Sequence, residues 1–234
     1  MYDRTNSDGA RVVCEFDGGL TWVAHPDEGG LRASHALQGA DGLWLFDPLD
    51  APNLDDLLAG LGPVAGVAVC SSWHARNAGR VATRHGVAVH APAWMRRVES
   101  RVDAPVRRYT LSPGDSDFET IPCRPFPLWD EVFVHDEDSG TLVVPDSMAT
   151  TELALLGNER LGLQWFRRPQ PPEQLRGLEP TRILVGHGTP VTEDAPAALE
   201  TALDGARRQF PRALLENGPE SVRSLTDVLG DTVR

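Results

Sequence analysis

Lysine is absent from this chain. Its 22 basic residues are all arginine, set against 34 aspartates and glutamates, which leaves a formal net charge of −12. A surplus of that size repels phosphate backbones, and no basic stripe of the kind that grips nucleic acid interrupts it, so no nucleic-acid partner is expected. Cysteine is scarce as well. Cys14, Cys70 and Cys123 are odd in number and scattered, which excludes both a disulfide framework and a CxxC zinc or redox pair. Long apolar runs are missing too: none approaches the roughly 18 uncharged residues of a membrane span, and the opening Met-Tyr-Asp-Arg-Thr-Asn-Ser-Asp is polar where a signal peptide is apolar. A cytoplasmic protein without a membrane partner is the expectation.

What is present is an apolar fraction of 41% in 234 residues, enough for one packed domain spanning 1–234. A GC-rich genome favours arginine, alanine, glycine and proline, but it does not by itself produce an acid surplus. Together they point to a halophilic archaeon, whose molar salt screens surface repulsion over about 3 Å. The melting temperature is then expected to rise from dilute buffer to molar KCl.

Short β-branched runs at Arg11 to Phe16, Leu20 to His25, Ala33 to Leu37 and Leu43 to Asp47 read as a strand meander. Asn53 offers an N-cap to a helix carrying Leu54, Leu57, Leu58 and Leu61 at helical spacing. The period then alternates: strand Gly66 to Cys70, helix Ala75 to His85 stopped by Gly86, strand Val87 to His90, and a short helix from Pro92. After a proline-rich stretch come strands Glu131 to His135 and Thr141 to Pro145 about the turn Asp136 to Gly140, a helix near Thr150, strand Arg182 to Val185, and a helix from Asp194 to Phe210. Arg167 to Pro180 reads as a surface loop with one short helix, and 211–234 as a peripheral helical segment. Strand-rich and α/β segments thus occur twice, which predicts sheet packed on sheet with helices outside.

Three segments carry a further signal in order: Gly42-Leu43-Trp44-Leu45-Phe46-Asp47-Pro48, then Thr141-Leu142-Val143-Val144-Pro145-Asp146, then Ile183-Leu184-Val185-Gly186-His187-Gly188-Thr189-Pro190. Their succession resembles the metallo-β-lactamase superfamily over roughly residues 20 to 205. The resemblance implies an α/β fold, a four-layer αβ/βα sandwich, with a site in loops at one edge. It also implies one or two Zn or Fe ions there and hydrolysis of esters, thioesters, lactams or phosphodiesters.

At that site the sequence departs from the family. The first metal loop, His-x-His-x-Asp-His in the family, reads Ser72-Trp73-His74-Ala75-Arg76-Asn77, and Pro127 takes the place of a later family histidine. His74, Asp146 and His187 remain, the last between two glycines that suit a turn presenting one side chain. Three ligands do not hold two ions, and the two histidines serve different metals in the family; one Zn, Fe or Mn ion is the most that this set supports, and none is the other possibility. Arg76 stands where the family has an aspartate ligand. It is expected to pair with Asp146 and bring the positive charge of a metal, which makes Arg76, Asp146 and His74 the candidate catalytic residues if the chain is an enzyme at all.

Plainer roles stand beside these. His74 could cap a helix, Asp146 could precede one, and Ser72 and Asn77 read as structural. Trp73 and Trp129 would fill space that ligands have left. Arg96, Arg97, Arg101, Arg107 and Arg108, diluted by Glu99 and Asp103, read as a solvated helix face or an anion site, and the neighbourhood of Trp94 and Met95 as a homodimer surface. The functional expectation is a dismantled dinuclear site with a non-hydrolytic role toward a small molecule. The alternative is a hydrolase using one ion on His74, Asp146 and His187.

Overall fold

The first apolar runs pair as the meander expects. In the computed structural model, which describes residues 7–127 and 129–217, β1 (Arg11–Phe16), β2 (Gly19–Val23), β3 (Ala33–Gly39) and β4 (Gly42–Phe46) are antiparallel in sequence order. Helix α1 (Leu54–Leu58) leads to β5 (Val64–Ala68), and α2 (Ala78–His85) to β6 (Val89–Pro92). With β7 (Val106–Tyr109) these continue the sheet in parallel to seven strands. Parallel neighbours need crossovers of a dozen or more residues, which the connections of 17, 20 and 13 residues supply.

A second sheet takes the rest of the chain. It contains β8 (Glu119–Phe126), β9 (Trp129–Asp136) and β10 (Thr141–Val144); a small ribbon of β11 (Met148–Ala149) and β12 (Gly162–Leu163) precedes its last strand, β13 (Arg182–Val185). Helix α3 (Ala195–Glu216) follows. Alternation fixes which way this sheet faces. Val132, Val134, Val143 and Leu184 join the core of the first sheet, whereas Phe133, Leu142, Val144, Ile183 and Val185 join α3 through Ala198, Leu199, Ala202 and Ala206. Both faces are therefore apolar, and the layers run helix, sheet, sheet, helix. Each buried Val or Leu along them contributes about 1.5–3 kcal/mol.

Several local expectations are corrected. β8 lies inside the proline-rich stretch and carries Pro122 and Pro125; it is an edge strand, where a missing N–H costs no ladder bond. Arg107 and Arg108 belong to β7 at the other sheet's edge rather than to a helix face. The segment after Pro92 forms turns and a 3₁₀ turn at Glu99–Arg101, and Met95 is buried, which removes it from any surface. No helix starts near Thr150; turns join β11 to β12. Asn53 does not cap α1, because its amide spans the backbone N–H and C=O of Ala10. Arg167 and Arg168 are fully buried, against the surface-loop reading. α3 runs on through Pro211 to Glu216, and the remainder of the C-terminal segment, 218–234, lies outside the described residues. Among the described residues no helix is long and apolar enough to cross a membrane.

Candidate functional site

The three motif segments end side by side. Asp47 follows β4, residues 69–77 link β5 to α2, Asp146 follows β10, and His187 follows β13, so four strand ends deliver the residues after them to one edge of the two sheets. Gly186 and Gly188 permit this. A Cβ on Gly186 would lie 2.1 Å from the Pro145 carbonyl oxygen, and Gly188 has φ +105 with Thr150 Oγ1 2.2 Å from where a Cβ would be.

His74, Asp146 and His187 are brought together, all buried. His74 Nε2 lies 3.0 Å from Asp146 Oδ1, His187 Nε2 lies 3.3 Å from the same oxygen, and the two Nε2 atoms are 3.3 Å apart. The two histidines therefore share one point, contrary to the expectation that they serve separate ions. Each ring is oriented from behind: His74 Nδ1 donates to Asp47 Oδ2 at 2.7 Å, and His187 Nδ1 donates to the Gly30 carbonyl at 2.8 Å. Ser71 Oγ donates to Asp146 Oδ2.

The expected Arg76–Asp146 pair is not formed. Arg76 sits at φ +39, a strained setting for a side-chain-bearing residue, and its guanidinium donates to the carbonyls of Ala33, Asp47 (3.0 Å) and Gly186 (3.1 Å). Three converging carbonyls satisfy the planar fork better than one carboxylate already held by two imidazoles and a hydroxyl. Arg76 reaches the cluster instead through His74, with Nη2 3.1 Å from His74 Nε2.

Electrostatics follow from these contacts. Burial and the Arg76 charge act to lower His74, but Asp146 and Asp47 on its two sides raise it above the ordinary imidazole value. Burial alone would raise Asp146; His74 and His187 hold it well below the carboxylate range. Burial keeps His187 below the usual histidine value, despite the pull of Asp146. When protonated, His74 donates Nδ1–H to Asp47 and Nε2–H to Asp146, beside Nε2 of His187.

Three participants escaped the sequence reading as side chains with roles: Asp47, Ser71 and Glu131. Asp47 Oδ1 accepts the Cys70 N–H at 2.7 Å, so the carboxylate ties the loop to His74. Glu131 is wholly buried and accepts the backbone N–H groups of Asp146 and Ser147 at 2.9 and 2.8 Å, plus the Ser147 hydroxyl. Burial and the neighbouring Asp146 push it up. Arg167 Nε donates to that same Ser147 oxygen at 3.0 Å. The cluster's carboxylates, Asp47, Asp146 and Glu131, are thus faced by three cationic groups: Arg76, His74 and, through Ser147, Arg167.

Other expected residues are placed nearby in plainer roles. Ser72 pairs its backbone with Asp130, and Asn77 Oδ1 accepts the Asp50 N–H at 3.0 Å. Pro127 lies in the turn before β9. Trp73 lies 4.0 Å under the Arg97 guanidinium, and Trp129 packs edge-on against Phe166 at 5.0 Å.

His35 lies behind the cluster, buried and bonded to Thr21 Oγ1 at 2.9 Å, and burial followed by the Arg76 charge lowers its pKa to about 3. The folded protein keeps it neutral, while the unfolded chain protonates it near 6.5. The stability it contributes is complete above that value and is lost as pH falls from 6.5 towards 3. Between pH 7 and 5 this loss is about 2 kcal/mol. Urea unfolding at both pH values should show His35→Gln losing less stability than the unsubstituted chain by about that amount.

The site's fit to a metal rests on two observations. Metal–donor bonds of about 2.0–2.1 Å in a tetrahedron put donor atoms about 3.3–3.4 Å apart. The separations of 3.0, 3.3 and 3.3 Å come close to that, and both rings carry the backing acceptor that metal-bound histidines have. The three donors therefore fit one ion. The surrounding charge fits less well, because Arg76 already stands against the His74 nitrogen that the ion would use.

No family model matches the chain, and no curated protein does. Solved structures do. A metallo-β-lactamase from Pontibacter korlensis aligns with TM-score 0.59 at 14% identity, over 86% of this chain and 100% of that one. The metallo-β-lactamase FIM-1 from Pseudomonas aeruginosa, in its mono-zinc form, gives 0.57 at 11% identity over 89% and 99%. Rubredoxin oxygen:oxidoreductase from the anaerobe Desulfovibrio gigas gives 0.61 at 13%, over 84% of this chain and 61% of that one. The chain has the metallo-β-lactamase fold.

Proposed function

We propose that this chain is a non-hydrolytic, ligand-binding form of that fold, in which Arg76 and a proton on His74 stand in for the metal ions of the hydrolases. One observation carries the reading: the Arg76 guanidinium is anchored by the Ala33, Asp47 and Gly186 carbonyls with Nη2 against His74 Nε2. A cation held by three carbonyls is costly to displace, because each buried acceptor left behind loses its partner. A dication entering beside it would also expel the His74 proton and meet the Arg76 charge at short range. Burial of His74, Asp146 and His187 supports the same reading, since catalytic metal sites keep a position open to substrate. The arginine-only, acidic composition supports a halophilic archaeal setting for this protein.

A second reading is favoured by the donor spacing: one Zn, Fe or Mn ion held by His74, Asp146 and His187, in a hydrolase of a small ester-like or phosphate-bearing metabolite. An ion bound there would supply a nucleophile by lowering the pKa of a coordinated water. Asp47 and the Gly30 carbonyl would keep the two imidazoles in the tautomers that present Nε2. A panel of ester, thioester, lactam and phosphodiester substrates, assayed with each metal added, separates the two. No turnover above that of His187→Ala is expected; turnover that His187→Ala abolishes would establish the hydrolase.

A further inference from the structure

Two arginines of the basic cluster, Arg96 and Arg97, meet Arg124 in one place. A cleft of about 660 Å³ opens beside the residue 71–74 loop, lined by Ser72, Trp94, Arg96, Arg97, Arg124 and Asp130. This volume lies within the range that holds small molecules. Three arginines line it with a single carboxylate, Asp130, which Arg124 engages at 2.9 Å. Arginine thus outnumbers carboxylate three to one in its lining, on a molecule whose net charge is −12. Indoles accompany the cations: Arg97 lies 4.0 Å over Trp73, and Arg124 lies 5.3 Å from Trp94. Burial and the neighbouring charge of Arg101 lower the pKa of Arg97.

The two faces of the loop divide the work. Ser71 turns to Asp146, while Ser72 lines the cleft, so a ligand there would lie one residue away from the buried cluster. Guanidinium forks match the oxygens of a phosphate, and an indole offers a flat apolar face to a ring. Resting on the ligand-binding reading above, we infer that this cleft binds a small aromatic phosphomonoester, its phosphate on Arg96, Arg97 and Arg124 and its ring against Trp94. Aryl phosphates and nucleoside monophosphates share this chemistry.

Calorimetry on the intact chain, with EDTA present, tests the assignment using phenyl phosphate, AMP, inorganic phosphate and phenol. Saturable one-to-one binding of phenyl phosphate or AMP is expected, about tenfold tighter than inorganic phosphate and weakened about tenfold by Arg96→Ala and by Arg124→Ala. Both arginines are exposed, so these variants should keep the parent's melting temperature. Preference for AMP would assign the nucleotide, and equal affinity the aryl phosphate. Trp94→Leu should erase the advantage over inorganic phosphate. No saturable heat up to about 10 mM, or affinities untouched by both arginine variants, would overturn the cleft. Failure of the non-hydrolytic reading looks different: a catalytic ion on His187 would leave binding in EDTA unchanged.

Discussion

Glu159→Ala is expected to lower the melting temperature by about 10 °C. Glu159 and Arg168 are buried together, with Nη2 to Oε2 at 2.7 Å and Nη1 to Oε1 at 3.0 Å, and side-chain exposures of 3% and 0%. Glu159 also accepts the Leu156 N–H at 3.0 Å and the Gln209 amide at 2.8 Å, so it ties α3 to the segment that leads into β12. Removing it strands a guanidinium in the interior, with the Ala154 carbonyl at 2.8 Å as its remaining described acceptor. Breaking one partner of such a pair costs about 3–5 kcal/mol, and a chain of this size loses about 2–4 °C per kcal/mol. Because the cost comes from the abandoned charge and not from lost attraction alone, Glu159→Ala combined with Arg168→Leu should recover at least part of the loss. Thermal unfolding of the two single variants and the double variant measures this directly. A double variant that melts below both singles would show that the pair's geometry, rather than its charge balance, stabilises the fold.

Arg76→Ala is expected to raise zinc affinity by about 100-fold. The substitution removes the cation that faces His74 Nε2 at 3.1 Å and leaves the three donor atoms where they are. A 100-fold change corresponds to about 2.7 kcal/mol, below the roughly 4 kcal/mol that two unit charges exchange at 4 Å in a partly screened site. The same variant frees three backbone carbonyls, so a small loss of stability accompanies the gain in affinity. Calorimetric titration with zinc at pH 7, on Arg76→Ala and on Arg76→Ala combined with His187→Ala, separates creation of a site from adventitious binding. Only the first should bind one equivalent.

Much of the layering was legible because it depends on local pattern. The meander of β1 to β4, the β9–β10 hairpin and the strand leading to His187 carry β-branched runs between glycine and aspartate turns. β8 was hidden by Pro122 and Pro125, which forbid a central strand yet suit an edge, and edge position is a property of the sheet, not of the segment. Arg167 and Arg168 read as surface because charge usually seeks water; their burial depends on Ser147 and Glu159, partners 20 and 9 residues away. At the site, His74, Asp146 and His187 stood out through the order of three motifs. Asp47 and Glu131 did not, since orienting an imidazole or holding two backbone N–H groups leaves no spacing to read. Arg76 stands out by its place in the first motif loop, but its partners do not, because its φ of +39 and the carbonyls it meets arise only when three strand ends converge.

On the proposed reading, an arginine and a proton occupy the electrostatic place of a metal. Elemental analysis of the unsubstituted protein, purified without chelator at high salt, tests it most directly. Well under a tenth of an equivalent of Zn, Fe and Mn together is the predicted result. One full equivalent, lost in His187→Ala, would contradict it.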